Sequence, residues 1–115
     1  RFEMDEPAGI VVVATELVGG MVGFAPAGPT RDEDAPTPWE LYSINVMAAH
    51  HGVGVGDQLV AAVVGSRPST VWVATDNARA IAFYRRHGFR PEGATKIHEE
   101  SRAPETRTLR VSSDR

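Results

Sequence analysis

The residues best placed to do chemistry sit in one short stretch, His50-His51-Gly52-Val53-Gly54-Val55-Gly56-Asp57. It falls between a strand-like run, residues 40–47, and a helix-like run, residues 58–64. Glycines at 52, 54 and 56 let the backbone bend tightly and bring its N–H groups next to a ligand. A helix starting directly afterwards turns its unsatisfied N–H groups, and the positive end of its dipole, back into the bend. Strand, glycine bend and helix start together make an anion site, most often for phosphate. Such a bend also arises simply where a chain must reverse. No Gly-Lys-Ser/Thr is present, and the glycine spacing is not the Gly-x-Gly-x-x-Gly of dinucleotide folds.

The elements that must position this bend follow from the pattern around it. Residues 10–15 form a β-branched run and read as a strand, and residues 21–25 as a second after a turn at Gly19-Gly20. Residues 27–38, rich in Pro, Gly, Asp and Thr, read as a mobile loop. The loop's Asp32-Glu33-Asp34 triplet reads as a solvated tip, with attraction of a cationic substrate as the other reading. Residues 40–47 read as a strand with Glu40, Tyr42, Ile44 and Val46 on one face, and Asn45 as the mark of a bulge. Apolar residues at 59, 60, 63 and 64 give one helix face over residues 58–64, stopped by Gly65 and Pro68. Residues 70–75 read as a buried strand. Asn77 suits the cap of a helix over residues 78–87 that Gly88 closes. Residues 89–97, broken by Pro91 and Gly93, and residues 106–111 complete the order β-β-β-α-β-α-β-β.

A chain of 115 residues with 42% apolar composition is one domain, or part of one. The net charge of -3 is mixed along the chain and forms no basic stripe, so nucleic acid is not an expected partner. No apolar run is long enough for a bilayer helix. Cysteine is absent, which excludes disulfides, thiolate metal sites and a cysteine nucleophile. The four histidines, His50, His51, His87 and His98, form no helical i, i+4 pair and have no carboxylate cluster, so no metal is expected. Without a signal peptide a cytoplasmic setting is the default.

Two segments, in order and correctly spaced, resemble the GCN5-related N-acetyltransferases. The first is residues 40–65, with His51-Gly52-Val53-Gly54-Val55-Gly56 standing where the family has Gln/Arg-x-x-Gly-x-Gly/Ala. The second is residues 71–89, with Asn77-Ala78-Arg79-Ala80-Ile81-Ala82-Phe83-Tyr84 and Gly88-Phe89 standing where it has an Asn, a helix ending in Tyr, and Gly-Phe. The resemblance implies a mixed α/β fold: a mostly antiparallel twisted sheet with helices on both faces. It implies acetyl-CoA as cosubstrate and a primary amine as acceptor, without a metal. The backbone from Gly52 to Asp57, through Val53, Gly54, Val55 and Gly56, would then grip the pyrophosphate with help from His51. Ile44, Asn45 and Val46 would offer backbone groups to the pantetheine arm, with an N–H near Val46 for an oxyanion. Asn77 would hydrogen-bond the same arm, in addition to or instead of capping its helix. Tyr84, seven residues on and so on the same helix side, would protonate the leaving thiolate; otherwise it is a core tyrosine. Glu40 would be the base, with Tyr42 as the other candidate and a plain strand-start charge as the alternative.

Several features depart from the family. Trp72 stands where ribosomal-protein-type members carry a glutamate. The bend lacks basic residues, and Asp57 adds negative charge beside the expected pyrophosphate, with Arg79 a candidate helper beside His51. The strand and two helices that normally precede residue 10 are not supplied by residues 1–8, so the domain reads as N-terminally incomplete. Apolar surface bared in this way would favour association, which allows a homodimer. Two other functions stay open: a non-catalytic acyl-CoA-binding or sensing module, and an interaction domain that has lost its cofactor site.

Overall fold

A computed structural model of the chain describes residues 9–15, 20–50 and 54–111. His51, Gly52 and Val53 lie outside the described residues, as do residues 1–8 and Gly19. The elements are β1 (Ile10–Thr15), β2 (Met21–Pro29), β3 (Trp39–Leu41), β4 (Asn45–Val46), a 3₁₀ turn (Ala48–His50), α1 (Val55–Val63), β5 (Ser69–Ala74), α2 (Ala78–Arg86), β6 (Arg90–Ile97) and β7 (Pro104–Arg110). Seven strands form one sheet in the order β1-β2-β3-β5-β7-β6, with β4 also paired to β2. Every pairing is antiparallel except β3 with β5. This is the mixed, mostly antiparallel sheet that the sequence implied.

The helices end where the sequence placed their stops. Val64 and Gly65 close α1, with Gly65 at φ +57 and its N–H donating to Ala61 O at 3.1 Å. Gly88, at φ +89, closes α2 and donates to Arg85 O at 2.9 Å. The apolar stripe Leu59, Val60, Val63, Val64 is buried against Ala25, Ala27, Leu41, Val71 and Val73, and Tyr84 and Phe89 join the same cluster. Both helices therefore cover one face, where the resemblance implied helices on both. Arg110 confirms this: its guanidinium donates to Gly65 O at the end of α1, and its stem packs beside Gly88 at the end of α2. On the opposite face Val11, Val13 and Phe24 are exposed.

The expected strand over residues 40–47 is divided. Pairing with β2 runs Leu41 to Ala27 and then Asn45 to Phe24, so residues 42–44 oppose only residues 25–26. One extra residue is accommodated there, a bulge that bends the strand. It falls just before Asn45 rather than on it. The parallel pairing to β5 covers only Trp39 with Ser69 and Glu40 with Thr70. Beyond it β5 runs on to Ala74 while β4 follows β2, so the two strands part and a wedge opens between them.

The loop over residues 30–38 is tied down at Asp32, while Glu33 and Asp34 keep the exposure expected of a tip. Trp72 Nε1 donates to Asp32 Oδ2 at 2.7 Å. Arg107, only 3% exposed, reaches Asp32 at 3.2 Å, Asp34 at 2.9 Å and Glu92 at 2.6 Å. A buried guanidinium must find carboxylates, and three carboxylates from two segments converge on this one. The loop is thereby strapped over the sheet face that carries Trp72.

Candidate functional site

The wedge leads into a cavity of about 680 Å³ bounded by the bulged strand, the start of α1 and one side of α2. Ile44 and Val46 come from the strand side, Gly54, Gly56 and Asp57 from the helix start, and Asn77, Phe83 and Tyr84 from α2. Seven of the residues singled out from the sequence, scattered over forty positions of chain, thus share one wall.

Gly54 begins α1 in the left-handed region, φ 90 and ψ 2, with no side chain capping the helix. An L side chain is disfavoured at that φ, which is the physical reason for glycine here. The first intrahelical bond is Gln58 N–H to Gly54 O at 3.1 Å. The N–H groups of Val55, Gly56 and Asp57 therefore have no intrahelical acceptor. Gly56 lets α1 approach α2: a Cβ there would lie 3.1 Å from Phe83 Cε1. Asn45 is exposed, and its side-chain amide donates to Ser43 Oγ at 2.9 Å. On β4, Met47 N–H donates to Val22 O at 2.8 Å. Hydrogen-bonded and non-bonded positions alternate along an antiparallel pair, so the peptide groups of Val46 point away from β2 and toward the wedge.

Asn77 caps α2, its Oδ1 accepting from Ala80 N–H at 3.0 Å. Its amide nitrogen is left for another partner. Tyr84 is 8% exposed, with its ring edge-on to Phe83 and Phe89. Burial pushes its phenol up to about 12. That weakens the match between phenol and thiol on which an acid role was based.

Glu40 does not line this cavity. Leu41 faces the helices, so its neighbour Glu40 faces the other side. There it accepts from Arg31 Nη2 at 2.7 Å and from Arg31 N–H at 2.9 Å, and it is 1% exposed. Tyr42, the other candidate base, donates its hydroxyl to Pro29 O at 2.6 Å under the Arg31 guanidinium. Burial, then the charge of Glu40, raise that phenol. Both candidates are committed to holding the loop.

A clip between the helices has no motif in the sequence. Asp57 Oδ1 accepts from His87 Nε2 and from Arg86 Nη2, each at 2.7 Å. The His87 hydrogen bond, and then that of Arg86, hold the Asp57 carboxyl below the usual carboxylate range. The pairs span 30 and 29 residues. The one available signal was Arg79 and Arg86, seven apart and so on one side of α2. Among the described residues no group of His, Asp or Glu could hold a metal, and no helix is long and apolar enough to cross a membrane.

The chain resembles several solved structures. A protein assigned to the GNAT acetyltransferases from Desulfovibrio desulfuricans is 26% identical with a TM-score of 0.73, over 92% of this chain and 70% of that one. Ribosomal-protein-alanine N-acetyltransferase from Brucella melitensis is 24% identical with a TM-score of 0.71, over 88% and 67%. The NatC complex bound to Gag peptide and CoA contains a chain 12% identical with a TM-score of 0.72, over 88% and 70%. Among curated protein sequences none matches significantly. The family model described as Acetyltransferase (GNAT) domain matches residues 7–91, which include β4, the glycine bend, both helices and the wedge between them. With that match over most of its length, the chain belongs to the GNAT family of acetyltransferases.

Proposed function

We propose that the chain transfers the acetyl group of acetyl-CoA to a primary amine by direct attack. The observation that carries this reading is the wedge itself: a bulged strand, an uncapped helix start and Tyr84 around one cavity of about 680 Å³. That volume lies within the roughly 300–1,000 Å³ usual for small-molecule sites. The N–H groups that open α1 suit the pyrophosphate, as would His51, Gly52 and Val53 of the bend before them. Ile44, Asn45 and Val46 suit the pantetheine arm as a short added strand, and the Asn77 amide suits its carbonyls.

In this reading the amine nitrogen attacks the thioester carbonyl carbon and the carbon–sulfur bond breaks. The Val46 N–H stabilises charge developing on the carbonyl oxygen. The Tyr84 hydroxyl gives its proton to the leaving sulfur, and the proton lost by the amine returns through water to the phenol. Removal of that proton is left to solvent, because hydrogen bonds from Arg31 occupy both Glu40 oxygens. Acetyl-CoA with a panel of small amines and amino-terminal peptides, read by thiol release, tests the reading. Amine-dependent release supports it, and its absence across the panel refutes it.

The occupied Glu40 and the weakened acidity of Tyr84 favour a second reading, a non-catalytic acyl-CoA-binding module. Stabilisation by acetyl-CoA in a thermal shift without any amine-dependent thiol release would select it.

A further inference from the structure

The sequence left a difficulty at the anion site. The glycine bend carries no arginine or lysine, and Asp57 places a carboxylate within the first turn of α1. A carboxylate there suits the helix dipole but repels a phosphate. The arrangement around Asp57 resolves this. Arg86 lines the same cavity as Gly54 and Gly56, and its Nη2 lies 2.7 Å from Asp57 Oδ1. Its guanidinium also lies over the Phe83 ring, 5.2 Å from the centroid. Two contacts therefore fix a side chain that is otherwise 60% exposed. The same Asp57 oxygen is oriented from the far side by His87, itself mostly covered. Arg79 lines the cavity one heptad earlier on α2.

We infer that α2 supplies the cation that the glycine bend lacks: Arg86 is a phosphate-binding residue for the nucleotide half of the acyl carrier, and Asp57 is its positioning residue. The inference rests on the acyl-carrier reading above. Its chemistry is that of a phosphate monoester or diphosphate. A guanidinium with one edge on Asp57 keeps further N–H groups for phosphate oxygens. Pre-orientation removes part of the entropy that a long, free arginine loses on binding.

The sign of one substitution separates this from the simple alternative. If Asp57 acted on phosphate directly, Asp57→Asn would remove a repulsion and tighten binding. If it acts by holding Arg86, the same change weakens binding. Calorimetry with CoA, and separately with adenosine 3′,5′-bisphosphate and pantetheine, distinguishes them. Arg86→Ala is expected to weaken CoA and the bisphosphate about tenfold, and Asp57→Asn about threefold, with pantetheine unchanged for both. In the Arg86→Ala background Asp57→Asn is expected to tighten CoA binding, because only the direct repulsion remains. Arg85→Ala, which removes the same charge outside the cavity, is expected to leave CoA affinity unchanged. Tighter binding by Asp57→Asn alone, or equal losses for Arg85→Ala and Arg86→Ala, would overturn the inference while leaving the acyl-carrier reading intact. A wild-type chain that binds pantetheine and CoA equally would overturn the inference too, and one that binds no CoA would overturn both.

Discussion

Replacing Tyr84 by Phe removes one oxygen and keeps the ring that meets Phe83 and Phe89 edge-on. The packing should survive, so the variant isolates what the hydroxyl does. The phenol is pushed up from an ordinary 10.0 to about 12 because burial penalises the tyrosinate. That shift corresponds to about 3 kcal/mol. The folded form holds this proton more tightly than the unfolded form, so the stability involved is fully present below pH 10. It is lost as pH rises from about 10 to about 12, where the unfolded chain ionises first. The wild-type chain should lose up to about 3 kcal/mol over this interval that Tyr84→Phe does not lose. Urea unfolding of both proteins at pH 9, 10, 11 and 12 measures the difference, and every other titrating group cancels in the comparison. Parallel curves would refute the burial argument. The catalytic consequence is measured separately. General acid catalysis contributes about 10²- to 10⁴-fold, and a phenol raised this far is a reluctant donor. The expected fall in kcat is therefore about 10²-fold, with acetyl-CoA affinity almost unchanged. Equal loss of affinity and turnover would make Tyr84 structural, and full turnover would exclude it as the acid.

Asn77→Ala should cost about 1 kcal/mol through the lost cap, while Asn77→Ser keeps the cap and so the stability. If Asn77→Ser retains full acetyl-CoA affinity, the residue is a cap alone. Gly54→Glu should cost about 1–2 kcal/mol, since its Cβ meets nothing within 4 Å but its φ is +90. The folded variant should bind acetyl-CoA too weakly for calorimetry, and an unchanged Kd would rule out the bend as the diphosphate site. Arg107→Ala should destabilise the fold by about 2 kcal/mol, by removing a buried guanidinium that bonds three carboxylates. It should also open residues 30–38 to proteolysis, and wild-type resistance there would mean that the loop is held by something other than Arg107.

Local signals were legible wherever one side chain or one period decided the outcome. Gly65 and Gly88 stop the helices that their positions predicted, and Asn77 caps α2 through a bond only three residues long. Gly93, at φ +114, lies within a register shift between β6 and β7, where Pro91 and Gly93 predict a break. Asn45 flagged an irregular strand and missed its centre by a residue or two, because the register is set by β2 rather than by the strand's own composition. The surroundings of Glu40 were not legible for a similar reason. Alternation gives the face of a strand residue, but the partner on that face, Arg31, comes from a loop whose course the pattern does not contain.

The sequence by itself determined the family, the order of the elements and the glycine bend that opens a helix. These follow from spacings of a few residues, where backbone sterics and hydrogen-bond reach act locally. The tertiary structure alone decided which charges meet. Asp57 pairs with Arg86 and His87, and Arg107 gathers Asp32, Asp34 and Glu92, across separations of 15 to 75 residues. Electrostatic energy depends on distance in space and on exclusion of water, and neither quantity exists until the sheet and its two helices have packed.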